Sequence, residues 1–457
     1  MRIRKYDFDY SRRQFLEKTS KGIVSAGILT SLWPVIARTG EITKAYPDEL
    51  LSIDAYTKGA IKTGDMITAD NVDLVKELVN PIIYRQIKEM GRQIKIVPTT
   101  TELSRLMPWE YMEATLSNQG KAQLNDKGNV VAQDGQPWIG GNPFPDPQNG
   151  LEAFANNTLS WGRHDASFYV VEETDLNPDG TAAYEYEFCW AEMQAVGRTT
   201  MAPKPYWPGH EDKLRYQSIF YISPNDAKGS SFLNIWPYDQ TEFPELYGYL
   251  PAFKRVRRFP TNQRFEPIIA GSTFFLSDAW SSGDPFLTWG NYKIVHRGPF
   301  LGCVNAWNPD KPNWRPDVHG GGKGKTFYHT EMELVPDVIV VEAEPVKYPR
   351  SPVSKKRVHL DARSMMFLSY VTYDRRGELW KTFEPGYGLY EKNGKVVKDG
   401  NHPYWSWVHV MSHDIQTNRM TRFHQAENIS GGYTWSVNDP DIYDRYLTIQ
   451  AIRRLGI

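Results

Sequence analysis

The feature that most limits how this chain can fold is a succession of short aromatic and β-branched runs joined by turn residues. Ser167-Phe168-Tyr169-Val170-Val171 is followed by Asn177-Pro178-Asp179-Gly180, and then by Tyr184-Glu185-Tyr186-Glu187-Phe188-Cys189-Trp190. The last run alternates aromatic and acidic residues, the period of a half-buried strand leaving a hairpin. Ile219-Phe220-Tyr221-Ile222 and Phe232-Leu233-Asn234-Ile235-Trp236 flank a second turn. Tyr370-Val371-Thr372-Tyr373 and Glu378-Leu379-Trp380 flank Asp374-Arg375-Arg376-Gly377. Leu389-Tyr390 and Lys395-Val396-Val397 flank Asn393-Gly394, the strongest short hairpin signal. Val338 to Val341 has the unbroken apolar character of a buried strand. Successive hairpins imply one extended antiparallel sheet, curved or rolled, rather than a parallel α/β fold. The 15 Trp and 26 Tyr suit such a sheet.

Ahead of these runs the pattern is helical. Asp70 is placed to cap a helix carrying Val72, Val75, Leu78, Val79 and Ile82 on one face, which Pro81 kinks or splits. Thr101-Glu102 opens a second helix through Leu106, Tyr111 and Leu116, with Pro108 in its first turns. The expected fold is therefore a sheet-dominated α+β protein. Residues 38–128 form a helical segment that packs on an antiparallel sheet of residues 129–457, the two making one unit.

Residues 1–37 read as an export signal. Met1-Arg2-Ile3-Arg4-Lys5 is a basic start, Ser11-Arg12-Arg13-Gln14-Phe15-Leu16 follows, and an apolar stretch runs from Gly22 to Ala37. Basic region, short apolar region and the small-residue end Val35-Ile36-Ala37 define a secretory signal rather than a membrane anchor. The pair Arg12-Arg13 with Phe15 and Leu16 resembles the twin-arginine address of proteins exported folded to the periplasm. The first cysteine is Cys189, so none lies near Ala37 to carry a lipid. No stable membrane insertion is expected. Residues 1–37 hold seven Lys/Arg against three Asp/Glu; setting them aside moves the net charge from −1 to −5, which argues against nucleic acid.

Motifs for chemistry are sparse. His319-Gly320-Gly321-Gly322-Lys323-Gly324-Lys325-Thr326 is a near miss to a phosphate loop, because His319 stands where the motif needs Gly. It reads as a flexible surface loop. His402, His409, His413 and His424 gather near the C-terminus. Trp405, Trp407, His409, Met411 and His413 alternate with Ser406, Val408, Val410 and Ser412, a strand pattern that puts His409 and His413 about 13 Å apart, too far for one ion. No catalytic residue, metal or cofactor is therefore assigned. In Lys254-Arg255-Val256-Arg257-Arg258, Arg255 and Arg257 share one strand face. They suit pairing with Asp/Glu of the sheet, or an anionic ligand. Cys189 and Cys303 permit a disulfide in an oxidising compartment; the alternative is two buried free thiols.

Four stretches together resemble a known family. They are Asn142-Pro143-Phe144-Pro145-Asp146-Pro147 with Gly150-Leu151-Glu152; Tyr249 to Arg258 followed by Gly271-Ser272 and Asp278; Val340-Val341-Glu342-Ala343; and Thr372-Tyr373-Asp374-Arg375-Arg376-Gly377-Glu378-Leu379-Trp380. In this order they look like domain-of-unknown-function family 1329, whose members are often described as resembling outer-membrane lipoprotein-sorting proteins. Phe253-Lys254 and Ser277-Asp278 depart from a pattern richer in Arg and in paired acids. The resemblance implies a fold like the Lol carriers, a curved sheet or unclosed barrel wrapped around helices, with Pro143, Phe144, Pro145, Arg255, Arg257, Arg258, Asp278, Tyr373, Asp374, Gly377 and Trp380 as family positions. It implies a periplasmic carrier for a lipid or other hydrophobic molecule, working with an efflux-type inner-membrane transporter and an outer-membrane partner. The alternatives are a cofactor- or metal-dependent enzyme exported folded, or an adaptor of a transport assembly without cargo.

Overall fold

The structure is a computed structural model and describes residues 42–456, apart from 44, 45, 47, 261–263, 307–310, 393 and 394. The export signal with Arg12, Arg13, Phe15, Leu16 and Ala37 lies outside the described residues, as does Asn393-Gly394. Among those described, sixteen strands join in one sheet. They are β1 (Met66–Ile67), β2 (Ile94–Ile96), β3 (Ala166–Leu176), β4 (Ala182–Gln194), β5 (Lys213–Ser223), β6 (Ser231–Pro237), β7 (Glu245–Leu250) and β8 (Arg255–Phe259). Then follow β9 (Gly290–Gly302), β10 (Thr330–Glu344), β11 (Val353–Asp361), β12 (Phe367–Asp374), β13 (Leu379–Leu389), β14 (Trp405–Asp414), β15 (Arg419–Gln425) and β16 (Ser436–Val437). The spatial order is β1-β2-β10-β11-β12-β13-β14-β15-β3-β4-β5-β6-β7-β8, with β9 also on β10 and β16 also on β3. The expected hairpins are present as β3–β4, β5–β6 and β12–β13. One pair departs from the antiparallel expectation, because β2 runs parallel to β10 and makes the sheet mixed.

The helical segment is shorter and more broken than the periodicity suggests. Val72–Leu78 is a 3₁₀ turn, and α1 (Pro81–Met90) begins anew at Pro81. Pro81 occupies the first helical turn, where its missing N–H costs nothing, and Asn80 rather than Asp70 caps the helix by accepting from the N–H groups of Ile82 and Ile83. Likewise α2 (Trp109–Ser117) starts directly after Pro108, with a separate 3₁₀ turn at Leu103–Arg105. Residues 38–128 also give two strands, β1 and β2, to the sheet.

The helix that organises the core lies inside the region read as strands. It is α3 (Gly150–Ser160), capped by Asn149, which accepts from the N–H of Glu152. Ala153 to Leu159 are all buried, as expected of a helix enclosed on every side. At one flank α3 packs on β9 and β10. At its C-terminal end the carbonyl of Thr158 accepts from Arg215 of β5. In sheet order β10 and β5 are eight strands apart, about 38 Å if flat, whereas an eleven-residue helix spans only about 16 Å. The sheet must therefore curl around α3. It does not close, since its path ends at β1 and at β8. The last helices, α4 (Ile442–Tyr446) and α5 (Ile449–Leu455), cover the outer face of β3–β6, where Ile442 and Leu447 pack on Phe168, Val170 and Cys189.

Candidate functional site

The inner face of the sheet carries one large cluster of aromatic residues. Within it lies an apolar cavity of about 40 Å³. Its walls come from Tyr169 of β3, Trp190 of β4, Phe367 of β12, Phe383 and Tyr387 of β13, Trp407 and Val410 of β14, and Phe423 of β15. Its roof is an inner segment, residues 272–289, which contributes Phe274, Ala279 and Trp280. The rings interlock: Phe274 sits 5.6 Å from both Phe383 and Phe423, and Tyr169 meets Trp407 edge-on at 5.5 Å. Such contacts add to what burial alone gives.

Polar ties fix the inner segment to the sheet. Asp278 accepts from Lys381 Nζ at 2.6 Å, from the N–H of Phe275 at 2.9 Å and from the Tyr370 hydroxyl. Asp284 pairs with Arg264 and accepts from Ser277 and from Trp289 Nε1. Asn157 of α3 donates to the carbonyl of Trp280 at 2.7 Å. Trp280 and Ser281 both have positive φ, 52° and 57°. Two consecutive non-glycine residues in that region are strained, and these surrounding contacts hold them there. Lys356 of β11 reaches the same segment, donating to the Ser281 carbonyl at 2.8 Å while lying 4.1 Å over the Trp289 ring. Burial pulls its pKa down to about 7.

Three further charged groups, Glu192, Arg215 and Arg163, are buried in the interior. Glu192 of β4 accepts from Trp190 Nε1 at 3.0 Å and from the Tyr169 hydroxyl at 3.4 Å, and burial pushes its carboxyl pKa up. Arg215 is fully buried between Trp161 and Trp236, with its guanidinium carbon 4.1 and 5.3 Å from the two rings. Burial draws its pKa down to about 9, and Glu192 opposes that shift. Arg163 donates to the carbonyls of Asn156, Ser364 and Met365. None of these was singled out from sequence. The available signal was a lone charge inside an apolar strand run, as in Phe188-Cys189-Trp190-Ala191-Glu192-Met193 and Leu214-Arg215-Tyr216.

Of the family positions, only Asp278 reaches the interior roof. Pro143 is buried, while Phe144 and Pro145 are half-buried; the loop they form leads into α3, and the Asn156 side chain bonds both backbone groups of Phe144. Asp374 and Gly377 build the β12–β13 turn: the Asp374 carboxylate accepts from the N–H groups of Arg376 and Glu378, and Gly377 takes φ 80°. Tyr373 lies under Lys355, and Trp380 donates to Asp414 at 3.2 Å. Arg255, Arg257 and Arg258 are exposed on the edge strand β8, where charge discourages pairing with another sheet. Arg257 lies over Phe253, and Arg258 faces Glu245 at 3.4 Å. Cys189 and Cys303 are free and buried in separate clusters, so the disulfide is not formed and the alternative of two free thiols holds.

His409, His413 and His424 lie on the other face of the sheet, whereas His402 lies outside that sheet and stacks on Trp109 at 5.0 Å. A bulge opposite Gly386 and Tyr387 flips β14 between Trp407 and His409. Trp405 and Trp407 therefore face the core, whereas His409, Met411 and His413 face outward. Alternation read along the sequence had put all five on one side. Gly386 permits the bulge, since a Cβ there would come within 2.4 Å of the His409 ring. His409 pairs across the ladder with His424. Among the described residues no three His, Cys, Asp or Glu side chains are grouped to hold a metal ion. The loop from His319 to Thr326 is not a free surface loop: Gly320 packs on Gly91 at the end of α1, and Gly322 on the Asp179-Gly180 turn. Among the described residues no helix is long and apolar enough to cross a membrane.

These features define a sheet-dominated α+β protein with an unclosed sheet curled around a buried helix and an aromatic cavity. The chain belongs to the family described as Protein of unknown function (DUF1329), which it matches over residues 66–453, from β1 into α5. It is 24 % identical over 326 residues to the uncharacterised protein PA3922 of Pseudomonas aeruginosa, covering 70 % of this chain and 68 % of that one. Among solved structures, a Vibrio parahaemolyticus domain whose description proposes outer-membrane lipoprotein sorting aligns with 67 % of this chain and 98 % of its own, at 19 % identity and TM-score 0.41. A DUF1329 family protein from Desulfovibrio piger covers 64 % of this chain and 93 % of its own, at 14 % identity and TM-score 0.37. The LolA superfamily protein NE2245 of Nitrosomonas europaea covers 65 % and 97 %, at 11 % identity and TM-score 0.34.

Proposed function

We propose that this protein binds a lipid or other hydrophobic molecule and carries it through the periplasm, within a transport system linking the inner and outer membranes. The observation that carries this reading is the apolar, aromatic-lined cavity between the curled sheet and the inner segment. Each methylene moved from water into such a place contributes about 0.8 kcal/mol. A cavity of about 40 Å³ is far smaller than an acyl chain, so loading displaces part of the wall. The inner segment is the part to move, because it is a loop bound by a few polar ties rather than by a strand ladder, and its Trp280 is already strained. Transit as a folded protein through the twin-arginine route suits a sheet whose curl depends on distant residues.

The test is lipid extraction and mass spectrometry on protein purified from the periplasm, joined to uptake of a fluorescent fatty acid. Bound apolar cargo at near one mole per mole is expected. Absence of both cargo and uptake overturns the carrier reading, and co-purification with membrane proteins in that empty state points to an adaptor.

A further inference from the structure

Near the cavity four buried N–H donors lack an acceptor among the described residues: Arg215 Nε and Nη1, and the indole nitrogens of Trp161 and Trp236. They gather at one place. The two indole rings meet edge-on at 5.2 Å, and the Arg215 guanidinium lies against both. Trp161 also stands 6.2 Å from Trp190, a wall of the cavity, so the donor group lies one ring behind that wall. A buried polar group without a partner is costly, and a charged one more so.

Charge leads to the same conclusion. Arg163 and Arg215 are both at most 2 % exposed, and neither has a carboxylate within ion-pair distance among the described residues. Among the described residues Glu192 is the carboxyl that acts on Arg215 through space, but its oxygens already accept from Trp190 and Tyr169. Neither guanidinium thus has a carboxylate of its own among the described residues. Arg215 Nη2 is occupied by the Thr158 carbonyl at the C-terminal end of α3, which fixes the side chain and leaves its other donors free.

We propose that the cavity takes an amphiphile with a small anionic head, a long-chain carboxylate, whose head is held by Arg215 between Trp161 and Trp236 while its chain enters the aromatic cavity. This rests on the carrier reading above. A small head is expected because rings enclose the donors on two sides.

The full mature chain is titrated at neutral pH with a fluorescent polyene carboxylate and with the alcohol of the same chain. The carboxylate is expected to bind about tenfold tighter or more, as a charge-assisted hydrogen bond gives. Arg215→Met is expected to remove that preference while retaining the alcohol's affinity; Arg215→Lys is expected to retain part of it. Trp161→Phe and Trp236→Phe, each losing one indole donor, should reduce it about threefold. Circular dichroism checks that each variant folds, and the wild-type comparison stands without any variant. Equal affinity of the wild type for acid and alcohol overturns the proposed head site and leaves the carrier reading intact. Uptake of neither overturns both.

Discussion

The two faces of the strands β12 to β15 are built on opposite plans. The inner face is aromatic and surrounds a cavity. The outer face, a few ångströms away, is a polar network closed over by α1. There Arg92 and Glu384 form a fully buried two-point ion pair, Arg92 also holds Gln86 at 2.6 Å, and Gln86 donates to His413 Nδ1 at 3.0 Å. Asn80, which caps α1, reaches Ser369 and Thr382. The outer charges are matched, and they lock a helix to the sheet. Around the cavity Lys381 and Asp278, and Arg264 and Asp284, are matched as well, but Arg163 and Arg215 are not, and the neighbours of Arg215 are rings. Matched buried charge points to architecture; unmatched buried charge beside a cavity points to a ligand.

The strongest way to break this contrast is at Glu384. Glu384→Ala leaves Arg92 buried without its partner and is expected to destabilise the protein by about 4 kcal/mol in urea unfolding. The same measurement on Arg215→Met should give a much smaller loss, because no ion pair is broken there. A comparable loss at both sites would erase the distinction between the faces.

The next test is pH. Burial pulls the outer imidazoles down, His409 to about 3 and His413 and His424 to about 4. Unfolded histidine takes up a proton near 6.5, so between about 6.5 and 4 the unfolded state holds more protons. Stability from the outer face is therefore complete above about 6.5 and is lost as pH falls towards 4. The inner face has the opposite sign. Burial raises the Glu173 carboxyl and pushes Asp175 up to about 7. Between about 4 and 7 the folded state keeps the Asp175 proton and the unfolded state has released it, so stability falls as pH rises. His413→Gln should flatten the acid limb by up to about 1.4 kcal/mol per pH unit, and Asp175→Asn should flatten the opposite limb over its own window. Urea midpoints across pH 4–7 read both; slopes of one sign at the two sites would refute the assignment.

Smaller effects follow. Phe423→Leu opens the cavity and is expected to cost about 1 kcal/mol while increasing uptake of an apolar probe, read by thermal unfolding and fluorescence. On the exposed edge, Arg258→Ala should change stability by about 0.5 kcal/mol or less, since its pairing with Glu245 is open to solvent.

Much of the sheet was legible locally. Strands β3 to β6, β12 and β13 stand where aromatic alternation and turn residues place them, because a hairpin is set by neighbours in sequence. The split of the first helical segment followed from Pro81. What failed depended on single residues with distant consequences. One bulged position in β14 reverses the face of everything after it, and only Gly386 on the next strand tells of it. Helix α3 went unread because Gly150 to Ser160 lies among strand-like runs, and its burial on every side leaves little polar face to reveal its period. The family positions were legible as a set, yet most of them shape turns and edges rather than the cavity.

The sequence by itself determined a sheet-dominated chain of successive hairpins, because period and turn chemistry act over a few residues. Only the tertiary structure decided which face of each strand is inside and which charges meet. Curling the sheet so that β10 packs on a flank of α3 and β5 meets its C-terminal end joins residues more than a hundred positions apart. Arg215 and Trp236 are already partners in the β5–β6 ladder, but only that curl brings Trp161 against them near an apolar cavity.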